Sequence, residues 1–411
     1  MVHSELKRCG SPPCVAVTLG VALLMFTNAA ISQTVEAEPP SRFVIGPLAW
    51  TPIIALRDAG VDSNVFNSPR TETPKQDVTG SLTPSVDSVL RLGVMRLVTQ
   101  GRADFLYFER YANERAINGR VAGRLQFPTT RVHPVLSASW ERTNERSSNE
   151  IDVRAPRTEK AYSVGLGTEV TPGSSLTVTA GLSDLRYDQG ADFHGVDLAT
   201  ILNRQSKSAN MTFRGTLTPL TRFVVVLDGA RDEFTFSTSH NSDNLRGFAG
   251  LEFAADAIIR GRAGIGYHKM LPRGSDRSLN FSGWTSQAEL SYTLLGRTRV
   301  TGRTSHDTSY SALDNRPYYV STVGGFEVTH NLVGPIDLEV RMSREILDYA
   351  ATTFQPQRID FADAMGGGVV IRLSMQTRIG FYYDDNHRHS SAGAAWKYTR
   401  QRMYTSVTYG F

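Results

Sequence analysis

The sequence predicts an all-β fold, a closed antiparallel transmembrane β-barrel of about 16–18 strands. Three observations carry that prediction. An export leader precedes a chain that lacks cysteine, segments of about ten residues alternate apolar with polar side chains, and the connections between segments are short and long by turns.

The leader is residues 1–32. Lys7 and Arg8 give a positive start, a mostly apolar run follows from Cys14 to Ala30, and Ala30-Ile31-Ser32 supplies the small residues a signal peptidase needs. Cleavage is expected before Gln33, with a second site after Ala37, because the run is shorter than the roughly 20 residues of a spanning helix. Cys9 and Cys14 both fall in the leader, so the chain beyond it has no disulfide, thiolate metal site or cysteine nucleophile. Hydrophobic residues are 40% and charged residues 20% of the chain, too apolar for disorder and too polar for a bundle of membrane helices. The formal charge of +4 is a small excess of 44 basic over 40 acidic residues, not a nucleic-acid footprint, so no nucleic-acid partner is expected. Only six of the 44 basic residues are lysines.

Residues 33–48 form a short entry segment containing Glu38-Pro39-Pro40, expected in the periplasm, and 49–411 form the barrel. Along the barrel the parity is direct. Val164, Leu166 and Val170 alternate with Gly165, Gly167 and Glu169; Leu176, Val178, Ala180 and Leu182 alternate with Thr177, Thr179, Gly181 and Ser183. Met211, Phe213 and Leu217 face away from Thr212, Arg214 and Thr216. The same holds for Ile259, Ala263, Ile265 and Tyr267, for Ala288, Leu290, Tyr292 and Leu294, for Leu338, Val340 and Met342, and for Ile379, Phe381 and Tyr383. A period of two is the mark of a strand with one apolar face. A β-sandwich or propeller would also alternate, but its polar face would meet bulk water and use lysine freely, and no blade-length repeat is present. A transmembrane barrel instead turns the apolar row to lipid and the polar row to the lumen, and pairs every backbone group around a closed sheet.

Turn spacing agrees. The links 171–174, 218–221, 295–297 and 332–335 are short, whereas 143–158, 188–204, 236–244, 271–279, 308–317 and 349–358 are long and polar. Outer-membrane barrels show this pattern, with short periplasmic turns and long external loops. Gly366-Gly367-Gly368 is expected to bend or bulge the chain ahead of a strand at 369–373. In the last strand Val407, Tyr409 and Phe411 share the apolar parity, and the terminal aromatic resembles the signal that barrels present to the assembly machinery of the bacterial outer membrane.

The segments Asp58-Ala59-Gly60-Val61-Asp62-Ser63-Asn64-Val65-Phe66, 82–86 and 105–111 resemble the β-barrel porin family associated with exopolysaccharide production and export. The resemblance implies an outer-membrane barrel, with outer-membrane lipid as its surroundings and a polysaccharide or small solute as its cargo.

With the apolar rows facing lipid, the lumen is expected to carry Arg124, Arg214, Arg260, Arg262, Glu289, Arg299, Arg303, Glu327, Glu339, Arg341, Arg372 and Arg378, together with Glu141, Glu169, Glu252 and Asp384. The signs nearly balance, so steep charge selectivity is not expected. Arginine forks suit ladders to carboxylates on neighbouring strands, and spare arginine edges suit a solute or glycan. Tyr107, Tyr382 and Tyr404 are candidate stacking or girdle rings. His387 and His389 beside Asp384 and Asp385 read as a polar loop, and His240 and His306 as isolated loop histidines. No nucleophile, zinc or phosphate-loop motif appears, so no enzyme activity, metal or cofactor is expected. The chain reads as a porin-like conduit, weakly charge-selective; the alternatives are a non-conducting structural or adhesion barrel acting through its loops and, last, a barrel hydrolase.

Overall fold

A computed structural model describes residues 42–129, 131–273, 280–313, 316–351 and 355–410. The expected leader with Cys9 and Cys14, most of the expected entry segment and Phe411 lie outside the described residues.

Eighteen antiparallel strands close into one barrel. In chain order they are β1 (Leu48–Asp62), β2 (Asp77–Leu92), β3 (Met95–Phe108), β4 (Ala116–Gln126), β5 (Val132–Thr143), β6 (Arg157–Thr171), β7 (Ser174–Tyr187), β8 (Arg204–Thr218) and β9 (Thr221–Phe234). There follow β10 (Ser242–Phe253), β11 (Ile259–Pro272), β12 (Phe281–Leu294), β13 (Thr298–Tyr310), β14 (Tyr318–Val333), β15 (Ile336–Tyr349), β16 (Arg358–Arg372), β17 (Thr377–Ser390) and β18 (Tyr398–Gly410). The seam is β1 on β18, from Ile53↔Gly410 to Asp62↔Arg402. Closure leaves no unpaired edge, which is the condition for a sheet in hydrocarbon.

The alternation does what its parity implies. Leu166, Leu182, Leu227, Ile265, Val340 and Phe381 are exposed on the outer face, and the intervening polar residues line the inner face. The parity shifts once in β1, where a bulge between Leu56 and Ala59 displaces the register and Asp58 takes a left-handed φ of 50°. The next turn of chain needs Gly60, because a Cβ there would sit 2.0 Å from the Met403 carbonyl oxygen.

Short turns and long loops alternate around the ring. Three long connections add to those read from the sequence: 63–76, 109–115 and 391–397. Gly366-Gly367-Gly368 is a correction. It stands inside β16 with unbroken register to both neighbours, not at a bend before a strand. His387, His389 and His306 are corrected likewise: the first two belong to β17 and the third to β13, whereas His240 lies in a connection.

Candidate functional site

The lumen wall is built from cross-strand charge pairs. Glu252, Arg262, Glu289 and Arg303 face one another in register on β10, β11, β12 and β13, with signs alternating. Opposite charges directly across a ladder stabilise it, and the arginine fork suits the spacing. Arg214 Nε reaches Glu252 at 3.2 Å and Arg303 Nε reaches Glu289 at 3.4 Å. Arg303 and Glu289 remain 45% and 51% exposed, so this stretch of wall is wet.

The row continues on the far side of β14. Glu327 stands across from Arg341, which pairs in register with Gly366 and so with Asp384 beyond it. Gly366 has no side chain to block the way, and a Cβ there would lie 2.2 Å from Asp384 Oδ1. Arg341 therefore reaches over β16 to donate to Asp384 Oδ1 at 2.6 Å, while Arg402 donates to Oδ2 at 2.7 Å and the Tyr404 hydroxyl donates to Oδ2 at 3.0 Å. Tyr382 stacks on Tyr404 with ring centres 5.3 Å apart, and its hydroxyl bonds Glu339. A side chain at Gly368 would strike Tyr382 at 2.3 Å. The glycine triplet is thus a trough in the wall.

The other expected lumen residues are scattered. Arg372 pairs with Asp337 at 2.9 Å and lies across from Arg378 near the short-turn end. Arg260 donates to the Ala257 carbonyl at 3.4 Å, Arg299 stands across from Thr329, and Arg124 lies between Val98 and Ser137 on another part of the ring. Val407 and Tyr409 lie in β18 on the parity of Met403, which is exposed outward. Tyr107 is also outward-facing, whereas Tyr382 and Tyr404 line the lumen.

A feature missing from the sequence reading lies at the long-loop end. Segment 144–156 leaves β5 and folds across the mouth. Asn149 Nδ2 donates to Glu345 of β15 at 2.6 Å. Arg388 of β17 donates to the Glu150 carbonyl at 3.2 Å and to Asp152 at 2.9 Å. These strands stand eight and six places round the ring from β5, so the segment bridges the lumen. Its Glu150 carboxylate accepts from Ser311 Oγ and from the Ala312 amide. Its arginines are tied to the first loop: Arg146 and Arg154 both donate to the Val65 carbonyl. That carbonyl is held by the Asp62-Ser63-Asn64 turn, where buried Asn64 bonds Ser68 and the Thr399 carbonyl, and Asp62 pairs with Arg400.

Ile151 and Ala155 then pack with Phe193, Leu198 and Leu202 of connection 188–203 and with Ala312, forming an apolar knot over the mouth. Beside it is a cavity of about 440 Å³ lined by Phe193, His194, Leu313, Arg316, Arg358 and Trp396. Here charges are dry: Arg388 and Asp360 are both 0% exposed and pair at 2.9 Å. Burial pushes the Glu150 carboxyl up to about 7, its hydrogen bonds to Ser311 and Ala312 offsetting only part of the rise. Burial, with Arg400 and Arg154 nearby, pulls Arg146 down to about 9. The alternating Ile151, Val153 and Ala155 inside a polar link were the signal for this fold-back.

For other chemistry, His387 Nε2 bonds Asp385 at 2.9 Å on the outward face of β17, away from Asp384. Within the wall His268 Nδ1 bonds Asp307 at 2.7 Å, and Asp307 also takes Arg246 at 2.8 Å. Among the described residues no three His, Cys, Asp or Glu side chains converge as metal ligands.

Residues 50–411 match the family described as Putative beta-barrel porin 2. The chain belongs to this family. No curated protein matches it in sequence. Among solved structures it resembles OccAB3 of Acinetobacter baumannii, with 10% identity and a TM-score of 0.51, covering 88% of this chain and 99% of that one. It resembles OpdK of Pseudomonas aeruginosa with 12% identity and a TM-score of 0.51, covering 88% and 98%, and OpdO of the same organism with 11% identity and a TM-score of 0.51, covering 88% and 97%. At such identities the likeness concerns the fold. Family and fold together make this porin a porin-like β-barrel of the outer membrane.

Proposed function

We propose that this porin passes small hydrophilic solutes through a lumen narrowed at its outer mouth, with weak preference for either sign of charge. The observation that carries the reading is the 144–156 segment, held on both sides of the ring by Val65, Glu345 and Arg388. A polymer such as a polysaccharide would require this packed knot to move aside; a small solute is the cargo that asks the least displacement of it. The alternation of Glu252, Arg262, Glu289 and Arg303 supports weak selectivity, since a selective ring carries one sign.

The test is conductance in planar bilayers, together with swelling of liposomes in sugars of graded size. Wild-type protein should give small, stable steps and admit only the smallest sugars. Deletion of 146–154 should raise the step several-fold and admit larger sugars. Silence from both proteins, with barrel mobility intact on a semi-native gel, would favour a structural or adhesive barrel instead.

A further inference from the structure

Five lysines lie beyond residue 32, and none lies on the lumen face. Lys75 sits in connection 63–76 over the Phe66 ring and Lys397 in connection 391–397. The remaining three, Lys160, Lys207 and Lys269, share the outward parity of Tyr162, Met211 and Tyr267 on β6, β8 and β11. Each stands one or two outward positions nearer the long-loop end than those lipid-facing residues, so they rim the hydrocarbon band. Arg186, Arg231 and Arg273 join them at the same level on β7, on β9 and just past β11.

The arc is a connected surface. Lys207 and Arg231 are direct cross-strand neighbours, and Arg231 faces Asp243. Glu233 takes Lys207 at 3.2 Å and Arg273 at 2.8 Å, Asp243 takes Arg231 at 2.8 Å, and Asp184 takes Arg186 at 2.8 Å. Among the described residues Asp184, Glu233 and Asp243 answer these six cations, and beside them Asp188, just past β7, takes Arg142 of β5 at 2.6 Å. The opposite wall reverses the balance: at this level the outward face of β15–β17 carries Arg344 against Asp363 and Asp385. Exposed ion pairs such as Lys207–Glu233, 56% and 37% exposed, contribute little by themselves. They leave unexplained why like charges are gathered on one side of the ring against their mutual repulsion. An anionic partner at headgroup depth supplies the missing counter-charge. Lysine's flexible stem can lie along the apolar wall while its ammonium reaches the interface, which accounts for lysine here and arginine in the lumen.

We propose that the outward arc of Lys160, Arg186, Lys207, Arg231, Lys269 and Arg273 docks the phosphorylated headgroup of an outer-leaflet glycolipid. The acyl chains then lie against the exposed apolar rows below, beside Leu227, Leu245 and Trp284.

The test titrates the purified full-length barrel with bisphosphorylated lipid A and with its dephosphorylated form, counting bound lipid by native mass spectrometry. At about fivefold per cation, the variant Lys207→Gln/Arg231→Gln/Arg273→Gln should bind lipid A on the order of 100-fold more weakly. The dephosphorylated lipid should bind wild type with a similar loss. The charge-keeping variant Arg231→Lys/Arg273→Lys should retain binding, as should Arg344→Gln on the opposite wall. Undiminished binding by the triple variant, equal binding of the dephosphorylated lipid, or an equal loss in Arg344→Gln would overturn the proposal.

Discussion

Buried Glu150 should make docking of the loop across the mouth weaken as pH rises. Its carboxyl is 1% exposed, and burial has raised it from 4.5 to about 7. The groups packed around it are Ser311, the Ala312 amide, Tyr319 and Tyr349, with Arg388 already balanced by Asp152 and Asp360. A carboxyl whose value is raised in the docked state favours docking fully below its free value. That advantage is lost as pH rises from 4.5 through about 7 and is then constant. At 1.36 kcal/mol for each pH unit, docking should weaken by about 2 kcal/mol between about pH 5.5 and about pH 7. That is roughly a thirtyfold change in the ratio of docked to undocked segment. Single-channel recording over this range should therefore show longer or more frequent wide openings as pH rises. Hydrogen exchange at 144–156 should quicken in parallel. Glu150→Gln keeps the shape and an acceptor for Ser311 or Ala312 but cannot ionise, so it should flatten the pH dependence and keep the segment docked in alkali. A wild type with pH-independent openings and exchange, or a Glu150→Gln protein that still responds to pH, would refute the reasoning.

Further expectations follow from the wall. Gly366→Val fills the trough between Arg341 and Asp384 and should lower the barrel's unfolding transition, at a cost of about 1–3 kcal/mol for overpacking; Gly302→Ala, where an added Cβ meets nothing within 4 Å, should leave the transition unchanged in urea titrations of refolded protein. Leu290→Arg places a cation on the lipid-facing row of β12 and should destabilise by roughly 2–4 kcal/mol if that position is at mid-bilayer, measured by the same titration.

How far the sequence could be read depended on the range of the interaction. The period of two in 176–183 or 287–294 is a local property. It named both faces of those strands, because successive side chains must point to opposite sides of a pleated sheet. The alternation also put Arg214, Glu289 and Arg341 on the polar row of their strands for the same reason. Partnership was not: Arg341 finds Asp384 forty-three residues away only because Gly366 of the strand between has no side chain. Nor was the fold of 144–156, a polar link whose Ile151 and Ala155 acquire neighbours only when closure brings 188–203 and Ala312 to the same mouth.

The sequence alone determined a β-chain with one apolar and one polar face and connections of alternating length, because alternation and turn chemistry act between residues adjacent in the chain. Eighteen as the strand count, the register that aligns Glu252, Arg262, Glu289 and Arg303, and the narrowing of the outer mouth were decided by tertiary structure. Each is a consequence of closing the sheet, which couples β1 to β18 and brings loops far apart in sequence into one small opening.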